Sequence, residues 1–334
     1  MTTRPAIGMM FIRSWAPEAL VPTSRQAESG GLDELWVIED TCFTAGFSQA
    51  ATALAVTDRL TVGLGIVPAV VRSPVITAME IATLARIHPG RFLPGIGHGV
   101  AEWMDQLGLR PPSWLAAIEE TTTAVRGLLA GDEVSVDGRT VHLDHVQLDT
   151  PPARVPPVSL GVQGEKSLAL SGRVADGTIL TEYSSPDYVR WAREQILAGA
   201  AEAGRSGDDH RLTVYLWADV DRDDPARARD GLRRQIAEGL ASGAFRVQTS
   251  AVALPFHADL AELTQDADAA SIERGLRDDW LDHFAAAGTP EQVAAAIDRI
   301  AAAGADAVVL VAPTPSDPAA WLGRVTEQLL PILL

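Results

Sequence analysis

The chain has 334 residues, 47% of them hydrophobic, with 27 basic against 44 acidic side chains and a net charge of −17. That is ample apolar material for a large core, which excludes a disordered chain. Such an acidic surface repels nucleic acid and anionic membranes, so neither is expected as a partner.

From the N-terminus, "MTTRPAIGMMFIRSW" contains no apolar run of signal-peptide length. No window approaches the ~20 apolar residues of a membrane span. Cys42 is the only cysteine, so neither an intrachain disulfide nor a cysteine metal cluster can form. A cytoplasmic protein is expected.

Short apolar runs then alternate with longer amphipathic ones. Residues 7–12, 34–38, 61–67 and 92–96 read as strands, and so do 158–162, 177–181, 212–220 and 307–312. Helical periodicity occupies 48–57, 73–87, 114–130, 165–173, 186–203, 290–303 and 317–330. Eight strands alternating with helices in a chain of this length predict a (β/α)8 TIM barrel rather than an open doubly wound sheet. Helix punctuation agrees: Thr289-Pro290 opens one helix and Gly304 ends it, and Ser73-Pro74 opens another.

Residues 1–334 thus read as one barrel domain with two insertions. In 131–157, apolar alternation around Asp137-Gly138 predicts a β-hairpin before strand five. Residues 221–289 predict a helical insertion after strand seven, expected over the barrel mouth.

Reactive groups of a barrel sit where strands end. "WVIEDTCF" places Glu39 and Asp40 there, two carboxylates able to accept from or pass protons to a ligand. Strand three carries Gly63 and Gly65, and strand four ends in Gly95, Gly97, His98 and Gly99. Alternate glycines on adjacent strands predict a wall free of side chains, against which a planar ring can lie. Their spacing is not that of a dinucleotide GxGxxG. After strand five, Gly161 and Gly164 flank the start of a helix whose backbone N–H groups make an anion site, with Lys166 adding charge. Trp103, Tyr183 and Trp217 are candidate walls of a substrate pocket. No HxH, HExxH or GxSxG occurs, so neither a metal site nor a serine nucleophile is expected.

Together these stretches resemble the luciferase-like monooxygenase superfamily of (β/α)8 proteins, which use FMN or the deazaflavin F420. The likeness runs through "LWVIED", "GLGIVPAVVRSPVITAMEIATL", "HPGRFLPGIGHG", "GVQGEKSLALSGRVADGTIL" and "GTPEQVAAAIDRIAAAGADAVVLV". It implies a cis peptide at Gly65-Ile66 backing the cofactor ring, beside Gly97 and Gly99. It also implies a phosphate site at Val162, Gln163, Gly164, Glu165 and Lys166, where Glu165 replaces the family's usual proline.

The pattern is similar to the methylene-tetrahydromethanopterin-reductase-like F420 branch. There an Asp-His pair often follows strand two, where this chain has Glu39-Asp40. A glutamate can follow the strand-four glycines, where this chain has Val100. His98 is then the leading proton-handling candidate, since its reference pKa near 6.5 suits transfer at neutral pH. The resemblance implies F420-dependent hydride transfer to or from a small organic substrate, and a homodimer. An FMN-dependent monooxygenase is the alternative, and a non-catalytic flavin-binding protein a third reading.

Overall fold

Strands and helices alternate as the apolar periodicity requires, in a computed structural model that describes residues 4–243, 246–252 and 254–333. β1 (Ala6–Met10) leads to α1 (Leu20–Ser29), β2 (Glu34–Val37) to α2 (Gly46–Ala55), and β3 (Thr61–Pro68) to α3 (Pro74–Ile87). β4 (Phe92–Gly97) is followed by α4 (Ala101–Gln106), α5 (Trp114–Ala130) and the strands β5 (Val134–Asp137) and β6 (His142–Val146). β7 (Ser159–Gly161) precedes α6 (Glu165–Val174), and β8 (Gly177–Leu180) precedes α7 (Pro186–Glu202). After β9 (Arg211–Val220) come α8 (Pro225–Ser242), α9 (Arg246–Ser250), α10 (His257–Thr264), α11 (Ala269–Gly275) and α12 (Asp278–Phe284). β10 (Ala285–Gly288), α13 (Pro290–Ala302) and β11 (Ala307–Val311) follow. The chain closes with α14 (Pro318–Arg324), a π-helical turn (Val325–Leu329) and α15 (Leu330–Leu333).

The hydrogen-bonded strand order is β10-β9-β11-β1-β2-β3-β4-β7-β8, and β8 also pairs with β9. Without β10, that order returns on itself through eight strands, the topology of a (β/α)8 barrel. β10 is a strand that the periodicity did not predict, and the helices α1 and α4 also lie outside the predicted helical runs. The insertion expected over 221–289 is helical only as far as Phe284, and Ala285–Gly288 then adds a parallel strand to β9. Its "AAAG" sequence has no β-branched residue, so pairing and burial, not propensity, make it a strand.

The chain forms two compact units. In the first (residues 1–33, 180–194 and 212–334), β10, β9, β11 and β1 lie parallel. The whole of β11 is buried, as expected of a parallel strand covered on both faces. Thr289 caps α13 in a complete capping box with Gln292, and Gly304 at φ 113° follows its last turn. In the second unit (residues 34–179 and 195–211), β2, β3, β4, β7 and β8 are successively parallel, and β5 and β6 form the expected antiparallel hairpin.

Both units use one device at strand entrances. An aspartate just before a strand accepts the backbone N–H that begins its neighbour. Asp33 takes Ile7 N–H at 2.8 Å, Asp306 takes Leu212 N–H at 2.7 Å, and Asp176 takes Val158 N–H at 3.1 Å. Arginines hold the same carboxylates from the side: Arg4 on Asp33, Arg193 on Asp306 and Arg126 on Asp176. A charged acceptor on an otherwise open strand end sets register there.

Candidate active site

The second unit carries the candidate cofactor residues. β3 bulges near its end: its pairing with β4 steps from Leu64↔Pro94 to Val67↔Ile96, three residues against two. The Gly65-Ile66 peptide is cis, as the family resemblance implied. The bulge turns the Ile66 side chain across the ends of β4 and β7. A Cβ built on Gly97 would lie 2.7 Å from Ile66 Cγ1, and one on Gly161 2.5 Å from Ile66 Cγ2. A Cβ built on Gly95 would lie 2.7 Å from both Leu64 O and Ile179 Cδ1.

This corrects the expected bare glycine wall. The glycines are spaces filled by other side chains: Ile66 covers Gly97 and Gly161, and the Trp36 indole covers Gly63. Ile66 is itself only half-buried, so the exposed part of this wall is one isoleucine on a bulge. Gly99 has a separate reason. Its φ is +73°, and a Cβ there would meet Pro68 at 2.9 Å, so only glycine turns the chain out of β4.

Glu39 is not a free carboxylate facing a ligand. Arg72 Nη1 donates to its Oε1 at 2.6 Å and Nη2 to its Oε2 at 3.1 Å. Oε2 also accepts the Gly46 N–H at 2.9 Å, at the start of α2. Glu39 therefore ties the end of β2 to α2 and to the loop after β3. Its neighbour Asp40 is half-buried, and its carbonyl accepts from Phe43 N–H in a turn with Cys42 at φ 70°. Phe43 is 54% exposed, and its ring lies 6.3 Å from that of Trp103 on α4.

His98 is half-buried just beyond β4. Its Nε2 is 3.4 Å from Ser167 Oγ, and its ring stands edge-on to Trp114 at 6.1 Å and 87°. Its Nδ1 is buried with no hydrogen-bond partner among the described residues. Burial pushes the His98 pKa below its usual 6.5, which favours the neutral imidazole at pH 7. Sequence reasoning did not single out Ser167, Trp114 or Arg72. Each reaches its partner only through the fold, from 16 to 69 residues away in sequence for Trp114, Arg72 and Ser167.

At the N-terminus of α6 the N-cap is Gly164, whose backbone is extended and which makes no side-chain cap hydrogen bond. A Cβ at Gly164 would have nothing within 4 Å. The space beside Gly164 is therefore open, and Lys166 and Glu165 are both exposed next to it. Lys166 is the only lysine in the sequence. A cation in the first turn opposes the helix dipole, and Glu165 in the same turn offsets it.

The remaining two candidates lie in the first unit. Tyr183 is buried, with φ +67°, and its hydroxyl donates to Gln235 O at 2.9 Å, so it anchors α8. Burial, with Glu182 and Glu238 nearby, raises its pKa well above the phenol's usual 10. Trp217 on β9 is 9% exposed, and its indole N–H has no acceptor among the described residues. No group of three or more His, Cys, Asp or Glu able to hold a metal occurs among the described residues. No described helix is long and apolar enough to cross a membrane.

A parallel barrel topology with a bulged third strand, a half-buried imidazole at the end of the fourth and a helix without a side-chain cap after the fifth places the chain among the (β/α)8 barrel proteins. A sequence model of the luciferase-like monooxygenase family matches residues 9–307, and the chain belongs to that family. It is 27% identical over 308 residues to the 5,10-methylenetetrahydromethanopterin reductase of Methanolobus tindarius, covering 92% of this chain and 94% of that one. It is 28% identical over 333 residues to the F420-dependent glucose-6-phosphate dehydrogenase of Beutenbergia cavernae, covering 96% and 94%. The fold superposes on the coenzyme F420-dependent tetrahydromethanopterin reductase of Methanopyrus kandleri with a TM-score of 0.80 and 24% identity, covering 99% of this chain and all of that one.

Proposed function

We propose that this chain is an F420-dependent oxidoreductase that transfers a hydride between the deazaflavin and a small organic substrate. The observation that carries this reading is the pairing of the Ile66 bulge with the open, uncapped N-terminus of α6 within one unit. The F420-dependent relatives named above favour this cofactor over FMN.

The residues present fit the cofactor. Ile66, supported from behind by Gly97 and Gly161, would back the ring. The backbone N–H groups around Val162, Gln163, Gly164, Glu165 and Lys166 would take the phosphate, with the lysine ammonium as counter-ion. Gly99 would hold His98 at the mouth. When bound, F420 supplies a two-electron hydride carrier, and the protein supplies orientation and proton handling. In this reading His98 moves the substrate proton as a neutral imidazole, and Trp103 with Phe43 forms an aromatic wall for the substrate. Glu39 and Arg72 hold the shape of the loops around them. The chain is proposed to work in the cytoplasm as a homodimer.

The lone lysine makes a direct test. An amine-reactive acylating reagent should modify Lys166 and the N-terminal amine, read by mass spectrometry. F420 should protect Lys166, and FMN should protect it less at equal concentration. Fluorescence titration should give tighter binding of F420 than of FMN. Binding of FMN with none of F420 would overturn the reading.

A further inference from the structure

We infer that the second unit holds a further small-molecule site, between the loop after β3, helix α5 and the hairpin tip, that takes a monocarboxylate with a compact apolar body. It does not depend on which cofactor the barrel binds. A cavity of about 410 Å³ lies there, and every residue lining it belongs to the second unit. None of the residues assigned above to cofactor or substrate lines it. Its volume is in the range of small-ligand pockets.

The walls are largely apolar and preformed. Val70, Val71, Leu109, Pro111 and Pro112 supply aliphatic surface, and none of them is fully buried. The opposite wall is the hairpin tip, where Gly138 N–H donates to Val141 O at 2.9 Å. Glu120 on α5 accepts the N–H groups of Arg139, Thr140 and Val141 and the Thr140 hydroxyl, so the tip is fixed to α5 without help from a ligand. A wall already ordered adds little entropy cost to binding.

Two polar groups of the lining are uncommitted. Arg72 is spent, with both Nη atoms on Glu39 and Nε 3.5 Å from Glu80. The Arg139 guanidinium is exposed and makes no ion pair or hydrogen bond among the described residues. Thr121 on α5 is 3% exposed, and its hydroxyl has no hydrogen bond among the described residues. Unlike the neighbouring Thr122 hydroxyl, it is not sealed from the surface. No carboxylate lines the cavity, in a chain of net charge −17. Those bonded to its lining are already taken: Glu120 by the hairpin, Glu39 and Glu80 by Arg72. A guanidinium is a planar fork that matches the two oxygens of a carboxylate. One fork, one hydroxyl and apolar walls fit a single carboxylate on a ring or branched aliphatic body. A phosphate dianion would lack donors there, and an ammonium would meet two arginines. An occupant would brace the loop that carries Arg72 against α5.

The test is a ¹⁹F NMR titration of the whole protein with 4-fluorobenzoate, 4-fluorobenzamide and 4-fluorobenzylamine, with and without F420. The benzoate should bind saturably, about tenfold or more tighter than the amide, and the amine should not bind. Arg139→Gln, which keeps the backbone bonds to Glu120, should weaken the benzoate about tenfold, and Thr121→Val about threefold. F420 should leave benzoate binding in place. No saturable binding of the benzoate, equal binding of acid and amine, or unchanged binding in Arg139→Gln would overturn the inference. So would displacement by F420, or loss of binding in Lys166→Gln, since either would place the acid at α6. Failure of F420 to bind while the benzoate responds to Arg139 would count against the cofactor assignment alone.

Discussion

Arg72 reaches back 33 residues to hold both oxygens of Glu39, at 2.6 and 3.1 Å. The Glu39 side chain is 11% exposed and that of Arg72 21%. Removing the arginine leaves a partly buried carboxylate with one backbone donor. Arg72→Met should therefore destabilise the protein by about 2–4 kcal/mol, as for other broken buried pairs. Urea unfolding measures it, and a loss under 0.5 kcal/mol would make the pair a surface contact in energetic terms.

Glu120 on α5 pins the hairpin turn. It accepts from Arg139 N–H, Thr140 N–H, Thr140 hydroxyl and Val141 N–H, at 2.7 to 3.0 Å. Burial pushes this carboxyl up, but the four hydrogen bonds outweigh burial and lower its pKa from 4.5 to about 2. Because the folded value lies below the unfolded one, its stabilisation is complete above about pH 4.5 and is lost as pH falls toward about 2. Urea midpoints measured between those limits should fall with pH in the wild type and fall less steeply in Glu120→Gln.

The Ile66 side chain lies where Gly161 would carry a Cβ. Gly161→Ala should cost about 1–3 kcal/mol through overpacking. It should also weaken F420 binding by displacing Ile66. Ile66→Ala should relieve much of the clash, so a double-mutant cycle on stability should give a coupling of at least about 0.5 kcal/mol. Additive losses would mean that the two residues do not share that space.

His98 is neutral near pH 7 because burial lowers its pKa below 6.5. As a proton acceptor it is lost when protonated, so the oxidative rate should fall on the acid side at a pH below 6.5. With any substrate found on an acceptor panel, His98→Ala should lower turnover by about 10²–10⁴ and abolish that acid limb, with a smaller effect on F420 affinity. Unchanged turnover would remove His98 from the reaction.

Asp306 accepts the N–H that opens β9 and pairs with Arg193. Asp306→Ala should leave that donor unmatched and cost about 1–3 kcal/mol by thermal or urea unfolding. A neutral substitution would mean that water replaces the carboxylate at this strand entrance.

Much of this protein is local, and local features are legible in sequence. The eight barrel strands, the Thr289-Pro290 and Ser73-Pro74 helix starts and the hairpin at Asp137-Gly138 follow from periodicity, caps and turn chemistry. Each depends on neighbours a few residues apart. The motif order also sufficed to place the Gly65-Ile66 bulge and the α6 turn. Tertiary structure alone decided what fills the spaces those motifs leave. Glycine at 97 and 161 says that something lies close; only the fold says it is Ile66 and not a ligand. Glu39 is an available carboxylate as far as the sequence goes; in the fold Arg72 and Gly46 claim it. "AAAG" became β10 because the end of β9 from Trp217 to Val220 runs on past its pairing with β11. His98 and Ser167 are joined across 69 residues by two strands brought side by side, a contact with no signature along the chain. Propensity and spacing act over a turn or a pleat, whereas which side chain meets which depends on how the packed elements divide the interior.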